Sequence, residues 1–174
     1  MSTPLRQSRS FAVALLAAVA LAGAAPTSAR PTLYLAPAGD CGGTRLQEML
    51  CLHDYARHQA GLPSLRVSAT LMRAAWAKSA DIARCGFSHT ACGHAFSYRA
   101  GWAGYLWNRL GENIAYGSGS PIPSARTIFA AWLRSDDHRA NILDPAFRDI
   151  GVGSHRGTFE GWRARFWVVE FGRH

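Results

Sequence analysis

Lysine is almost missing from this chain: of its 19 basic residues, only Lys78 is not an arginine. The arginines are scattered, and no run of five like charges occurs. Nothing alternates basic with aromatic residues, so a nucleic-acid groove is excluded. Motifs for a nucleotide, a flavin or haem are also absent. No Gly-x-Ser-x-Gly elbow occurs, which removes the usual setting of a serine nucleophile. The one apolar run, Phe11 to Ala22, falls short of the ~18–20 residues of a membrane span. No internal repeat is present, and no low-complexity segment lies beyond that run.

What is there begins with a leader. Arg6 and Arg9 precede the apolar run without any acid, and small residues follow it up to Thr27-Ser28-Ala29. This is the pattern of a secretory signal peptide over residues 1–29. No cysteine closes the run, so a bacterial lipid anchor is not expected. The expected product is secreted or periplasmic, with no transmembrane segment after cleavage. About 145 residues then remain, enough for one domain with a real core. Setting Arg6 and Arg9 aside leaves 17 basic residues against 11 acidic, a charge of about +6. That balance suits solubility and, outside the cell, attraction to anionic envelope polymers or lipid headgroups.

Four cysteines in an exported chain favour disulfides, and Cys41, Cys51, Cys85 and Cys92 allow three pairings. Short loops favour Cys41–Cys51 and Cys85–Cys92, because closing them costs little entropy. A competing arrangement is a zinc knuckle from Cys85, His89, Cys92 and His94. Its spacing matches no common zinc module, and an oxidising compartment would sooner bridge the thiols.

Residues 30–43, with two prolines and three glycines, read as an extended lead-in tethered by Cys41. Helical periodicity starts at Thr44 with Leu46, Met49 and Leu50, continues through Ala56 and Ala60, and stops at Gly61 and Pro63. His53 interrupts this stripe as a satisfied or half-exposed core-edge residue. A second helix follows the N-cap Ser68 and ends at Gly86, with Met72, Ala75, Trp76, Ile82 and Ala83 on its apolar stripe. Trp76 is therefore expected in the core. The aromatic segment from His94 to Arg109 suggests a short helix near Phe96 to Trp102, with its rings packed inward. Ala125, Ile128, Phe129 and Trp132 make a clean amphipathic stripe in a third helix. Phe166 to Phe171 is a strand apolar on both faces, and so covered on both. Residues 150–154 should pair with it through a turn at Gly157 and Gly161. Helices first and strands last indicate an α+β, three-layer α-β-α sandwich.

Three residues could carry chemistry. His89, Glu112 and His138 lie 23 and 26 residues apart, so only a fold can unite them. Two imidazoles and a carboxylate suit zinc or another divalent cation and leave one position open for water, as hydrolysis requires. Otherwise they are structural groups that satisfy loop and helix ends. Ser135, one helical turn before His138, could in principle form a hydrolytic pair with it.

In order along the chain stand Phe87-Ser88-His89, Gly111-Glu112-Asn113-Ile114-Ala115, Trp132, His138 and Trp167 to Gly172. This ordered set resembles the CAP superfamily: cysteine-rich secretory proteins, antigen 5 allergens and pathogenesis-related 1 proteins. The likeness is to its short exported bacterial branch. The first helix adds Asp54-Tyr55-Ala56-Arg57 and Gly61-Leu62-Pro63-Ser64-Leu65, close to that branch's Asn-x-x-Arg and Gly-Leu-Pro-Pro-Leu. The resemblance places the domain at residues 44–174 and implies a CAP-like sandwich with a small, mostly antiparallel sheet. It also implies a cavity formed by His89, Glu112, His138 and position 135. The family's second glutamate is Ser135 here, and serine is a poor zinc ligand. Asp136 and Asp137 stand where that branch has Pro-Gly, to supply the missing carboxylate or to favour protonated His138. The implied roles are a binding or interaction module for a lipid, an envelope polymer or a protein, or a metal-assisted hydrolase of peptides or envelope material.

Overall fold

The computed structural model describes residues 31–174, so the expected signal peptide over residues 1–29 lies outside the described residues. Helix α1 (Arg45–Gln59) starts in a capping box: Gln47 N–H donates to Thr44 Oγ1 at 3.3 Å, and Thr44 N–H donates to Gln47 Oε1 at 2.8 Å. Two otherwise orphaned helix donors are satisfied in this way. The lead-in opens with a 3-10 turn (Pro31–Tyr34) against α1, and Cys41–Cys51 fastens it there with an S–S distance of 2.03 Å.

A two-residue strand β1 (Arg66–Val67) precedes helix α2 (Ala69–Cys85), which Ser68 caps. The short helix α3 (Tyr98–Trp102) and strand β2 (Arg109–Ser118) follow. Helices α4 (Ala125–Arg134) and α5 (Asp136–Leu143) come next, broken at Ser135, whose backbone is extended. Strands β3 (Asp149–Phe159) and β4 (Trp162–Arg173) close the chain. The sheet runs β1-β3-β4-β2, antiparallel except for β1 against β3.

The central strand β4 is buried on both faces, as its sequence indicated. Trp167, Val169 and Phe171 join Met49, Leu52, Phe129 and Trp132 from α1 and α4 in one core. Ala164, Phe166 and Val168 join Ala75 and Ile82 of α2 in a second. Each fully buried large apolar side chain is worth roughly 1.5–3 kcal/mol relative to exposure. Two such cores, one on each side of a single sheet, make the α-β-α sandwich.

Helix α2 comes unusually near the sheet. A Cβ built on Gly151 would lie 2.1 Å from the carbonyl carbon of Leu71, and one on Gly153 would lie 2.2 Å from that of Ala75. Only glycine permits this approach of backbone to backbone. Small alanines on the facing side of α2, Ala74 and Ala75, complete the fit.

Four sequence expectations need correction. Gly157 is not in a turn but opposite Ala164 inside the β3–β4 ladder. The turn is Glu160-Gly161, both at positive φ (50° and 81°), as a two-residue hairpin of matching twist requires. Trp76 is not in the core; it is 57% exposed. Most rings of the 94–109 segment also face outward, and only Tyr105 is buried, with its hydroxyl donating to Asp149 at 2.7 Å. His53 is fully buried rather than half-exposed. Its Nδ1 donates to the Met49 carbonyl at 2.8 Å, Nε2 finds no protein partner, and burial pushes its pKa down to about 4.

Gly153→Ala should force α2 off the sheet and cost about 3 kcal/mol, the upper end of ordinary overpacking. Urea unfolding of the variant beside Gly157→Ala is the check. The second change meets only the Phe166 ring and the Ala83 side chain, at 3.1 and 3.2 Å, and should cost clearly less.

Candidate functional site

The site is built where α2 meets the β2 end of the sheet. In the β2–β4 register Glu112 stands directly opposite Glu170, both on the α2 side. From α2, Lys78 reaches the same place: its Nζ donates to the His89 carbonyl and lies 3.9 Å from Glu112 Oε2. The Lys78 and Glu112 side chains are each 1% exposed. Glu112 Oε1 meets His89 Nδ1 at 2.7 Å. His89 is thus held at its backbone by Lys78 and at its ring by Glu112, while half of its side chain stays open to solvent. The disulfide Cys85–Cys92 closes the loop that carries it.

Glu170 is wholly buried, and neither of its carboxyl oxygens has a protein partner; nor does Glu112 Oε2. Burial above all, then the neighbouring Glu112 carboxylate, raises the Glu170 pKa well above 4.5, with Lys78 opposing. A proton on Glu170 turns one of those oxygens into a donor toward Glu112, which removes the repulsion and satisfies both groups.

On the other side of β2, α5 is pinned by amides. Asn113 Nδ2 donates to the His138 carbonyl at 3.0 Å, and Asn141 Nδ2 donates to Asn113 Oδ1 at 2.9 Å. Trp132 Nε1 donates to the Ile114 carbonyl at 3.2 Å, and the indole stacks near the His138 ring. His138 Nδ1 meets Ser135 Oγ at 2.7 Å. Burial first, then His89, lowers the His138 pKa, and these outweigh the opposing pull of Asp137 and the Ile114 carbonyl. The expected gain of protonated His138 from the Asp136–Asp137 pair is therefore overridden by burial. Asp136 itself is taken up by Arg139 at 2.5 Å.

The fold brings the sequence candidates together as two linked pairs, His89–Glu112 and Ser135–His138. An open hollow of about 220 Å³ lies against the first pair, walled by Phe96 and Gly111. Residues 50–171 match the family described as the cysteine-rich secretory protein family, CAP, over more than half of the chain. The chain belongs to the CAP family. It is 33% identical over 135 residues to YkwD, an uncharacterized protein of Bacillus subtilis (strain 168), covering 76% of this chain and 51% of that protein. Its fold is similar to an extracellular SCP-domain protein of Bacillus anthracis str. Ames (TM-score 0.63, 24% identity, 75% of this chain and 40% of that one). It is also similar to an outer surface protein of Borrelia burgdorferi (TM-score 0.62, 20% identity, 75% of this chain and 92% of that one). The chain spans about half the length of the curated relative that it matches.

For a CAP domain the arrangement of donors matters most. Among the described residues, no group of three His, Cys, Asp or Glu side chains is placed to hold a metal ion. Glu112 Oε1 is engaged by His89 and His138 Nδ1 by Ser135, so these donor atoms are already taken. The zinc knuckle is ruled out differently: Cys85 and Cys92 are bridged at 2.07 Å, and His94 stacks on Tyr98. The Ser135–His138 contact has the length of a nucleophile–base pair, but Glu112 orients His89 instead of His138, so no three-membered relay forms.

Sequence reasoning missed Lys78 and Glu170. Both left a signal. Lys78 is the sole lysine and falls on a helical stripe with Leu71, Ala75 and Ile82. Glu170 is the one acid in an otherwise apolar strand interior, on the face of Phe166 and Val168.

Because its folded-state pKa is raised, Glu170 holds a proton that the unfolded chain releases above pH 4.5. Its contribution to stability is therefore complete below that pH and is lost as pH rises toward the folded value. Glu170→Gln mimics the protonated acid and removes this loss. Urea midpoints from pH 4.5 upward should show the variant gaining on the native protein by up to about 1.4 kcal/mol per pH unit until Glu170 ionises. A gap that does not change with pH would show that Glu170 carries no such proton.

Proposed function

We propose that this CAP domain is an exported binding module, and that the open hollow beside His89 and Glu112 receives its ligand. The ligand is a lipid, an envelope component or a protein segment that offers an apolar group to Phe96 and a hydrogen-bonding group to His89. One observation carries this reading: the ionisable groups are spent on one another. Lys78, Glu112 and Glu170 neutralise and tether each other in the interior, and their net effect is to fix the position of one half-exposed imidazole. A binding site needs only such a wall of apolar surface with a few fixed polar groups. Catalysis needs a nucleophile or a water held against a competent base, and among the described residues His89 Nδ1 meets Glu112 and not a nucleophile. The similar solved proteins are described as extracellular or as outer surface proteins, which supports an envelope or extracellular setting for this one.

The competing reading is a metal-assisted hydrolase acting through His89, Glu112 and His138. Calorimetric titration of the metal-stripped protein with zinc, beside a His89→Ala, His138→Ala variant, separates the two. The expected result is no tight one-to-one site that depends on the histidines. Tight binding lost in the variant would transfer the hollow to the hydrolase reading. For the binding reading itself, Phe96→Ala should weaken capture of the ligand that His89→Ala also weakens, with the urea midpoint unchanged.

A further inference from the structure

The outer surface of α2 carries a second site, away from His89. Trp76 on α2 and Trp102 on α3 are each 57% exposed, a costly display for the largest apolar side chain. Both line one open trough of about 410 Å³, roomier than the hollow beside His89. Ala77 and Ala80 line it too, and their small side chains leave room between the two indoles.

The trough is charged as well as aromatic. Asp81 is its only acidic lining residue, and three residues of the opposite tendency, Arg84, Arg99 and His155, line it too. Arg99 grips Asp81 through both oxygens, Nε to Oδ2 at 2.5 Å and Nη2 to Oδ1 at 2.7 Å. That clamp fixes the guanidinium plane, which lies 5.3 Å from the Trp102 ring centre. One carboxylate cannot neutralise two guanidiniums. Arg84 touches Asp81 Oδ1 at 3.1 Å with Nη2 alone, and its side chain is 70% exposed. The trough therefore keeps a positive charge of about one.

We propose that this trough binds an anionic glycan: a chain of sugar rings carrying carboxylate or phosphate groups. The apolar C–H face of a sugar ring lies flat on an indole, and two indoles across a trough take successive rings. Arg84 then meets the acidic substituent with donors that are not taken up by Asp81. A quaternary ammonium ligand, which aromatic pairs also attract, is repelled here by Arg84 and Arg99. An acyl chain gains nothing from a rim of arginines. The site is independent of the reading given for the His89 hollow.

The test uses three probes on the intact protein: a hyaluronan octasaccharide (rings and carboxylates), a chitin hexasaccharide (rings alone) and poly-glutamate (carboxylates alone). Binding is read by calorimetry and tryptophan quenching. Hyaluronan should bind best and weaken with salt. Trp76→Ala and Trp102→Ala should each reduce its affinity about tenfold or more, as loss of an aromatic anchor does. Arg84→Gln should weaken hyaluronan several-fold while leaving chitin binding unchanged, and Trp162→Ala, an exposed indole at the start of β4 that does not line the trough, should leave both unchanged. Circular dichroism and the urea midpoint verify that these surface variants fold. Poly-glutamate binding as well as hyaluronan, a preference for neutral chitin, or hyaluronan affinity unmoved in both tryptophan variants would each overturn the proposal. So would a concentration-dependent dimer that buries Trp76 and Trp102 and abolishes binding.

Discussion

The buried charges beneath His89 depend on how closely α2 lies on the sheet. Gly151 and Gly153 leave no side chain between β3 and the backbone of the helix at Leu71 and Ala75. A Cβ at either position would hold the helix away, and Lys78 would no longer reach the β2 end of the sheet. Its ammonium would lose the His89 carbonyl and the neighbourhood of Glu112 together. The glycines act at a distance: they touch no functional group, yet they set the depth at which the site's charges are buried.

That depth explains the electrostatics. A buried lysine and two buried carboxylates would be expensive as isolated ions, since desolvation outweighs attraction unless every partner is well placed. Here the three groups meet between a helix and two neighbouring strands. Burial and the Glu112 carboxylate favour the protonated form of Glu170, which lessens the repulsion between the two carboxyl groups. The product of this arrangement is rigidity. His89 sits on a loop, where conformational freedom is the default, but Lys78, Glu112 and the Cys85–Cys92 bridge hold it from three directions.

Much of this was legible in the sequence, and what was not had physical reasons. The helix start at Thr44, the doubly covered strand at 166–171 and the two short-loop disulfides all rest on local chemistry. A stripe of apolar residues alone puts Trp76 on the inner face of α2. Admitting Lys78 gives Leu71, Ala75, Lys78 and Ile82, a better helical repeat, and moves Trp76 off the inner face. A charged residue on a core stripe looks like noise until a partner is known, and that partner, Glu112, lies 34 residues away. Strand β2 escaped for a related reason. Gly111, Glu112, Asn113 and Tyr116 do not read as a half-buried edge strand, because their spacing serves hydrogen bonds to α5 and the Glu170 pair rather than packing.

Helix α2 consequently carries different groups on its two faces. Residues 71, 75, 78 and 82 face the sheet and end in the ion set beneath His89, while residues 76, 77, 80 and 84 face outward along the aromatic trough. Asp81 lies between them, buried at the foot of Arg99 and Arg84. The position of Trp76 relative to Trp102 is held within the pair of helices, because α3 is tied to α2 through the Arg73 donor to the Ala103 carbonyl and through the Arg99–Asp81 clamp. A helix seated this firmly, with no slack against the sheet, can present flat rings at a constant separation. Rigid display of that kind lowers the ordering cost of binding, and it is what a trough for a repeating ligand requires.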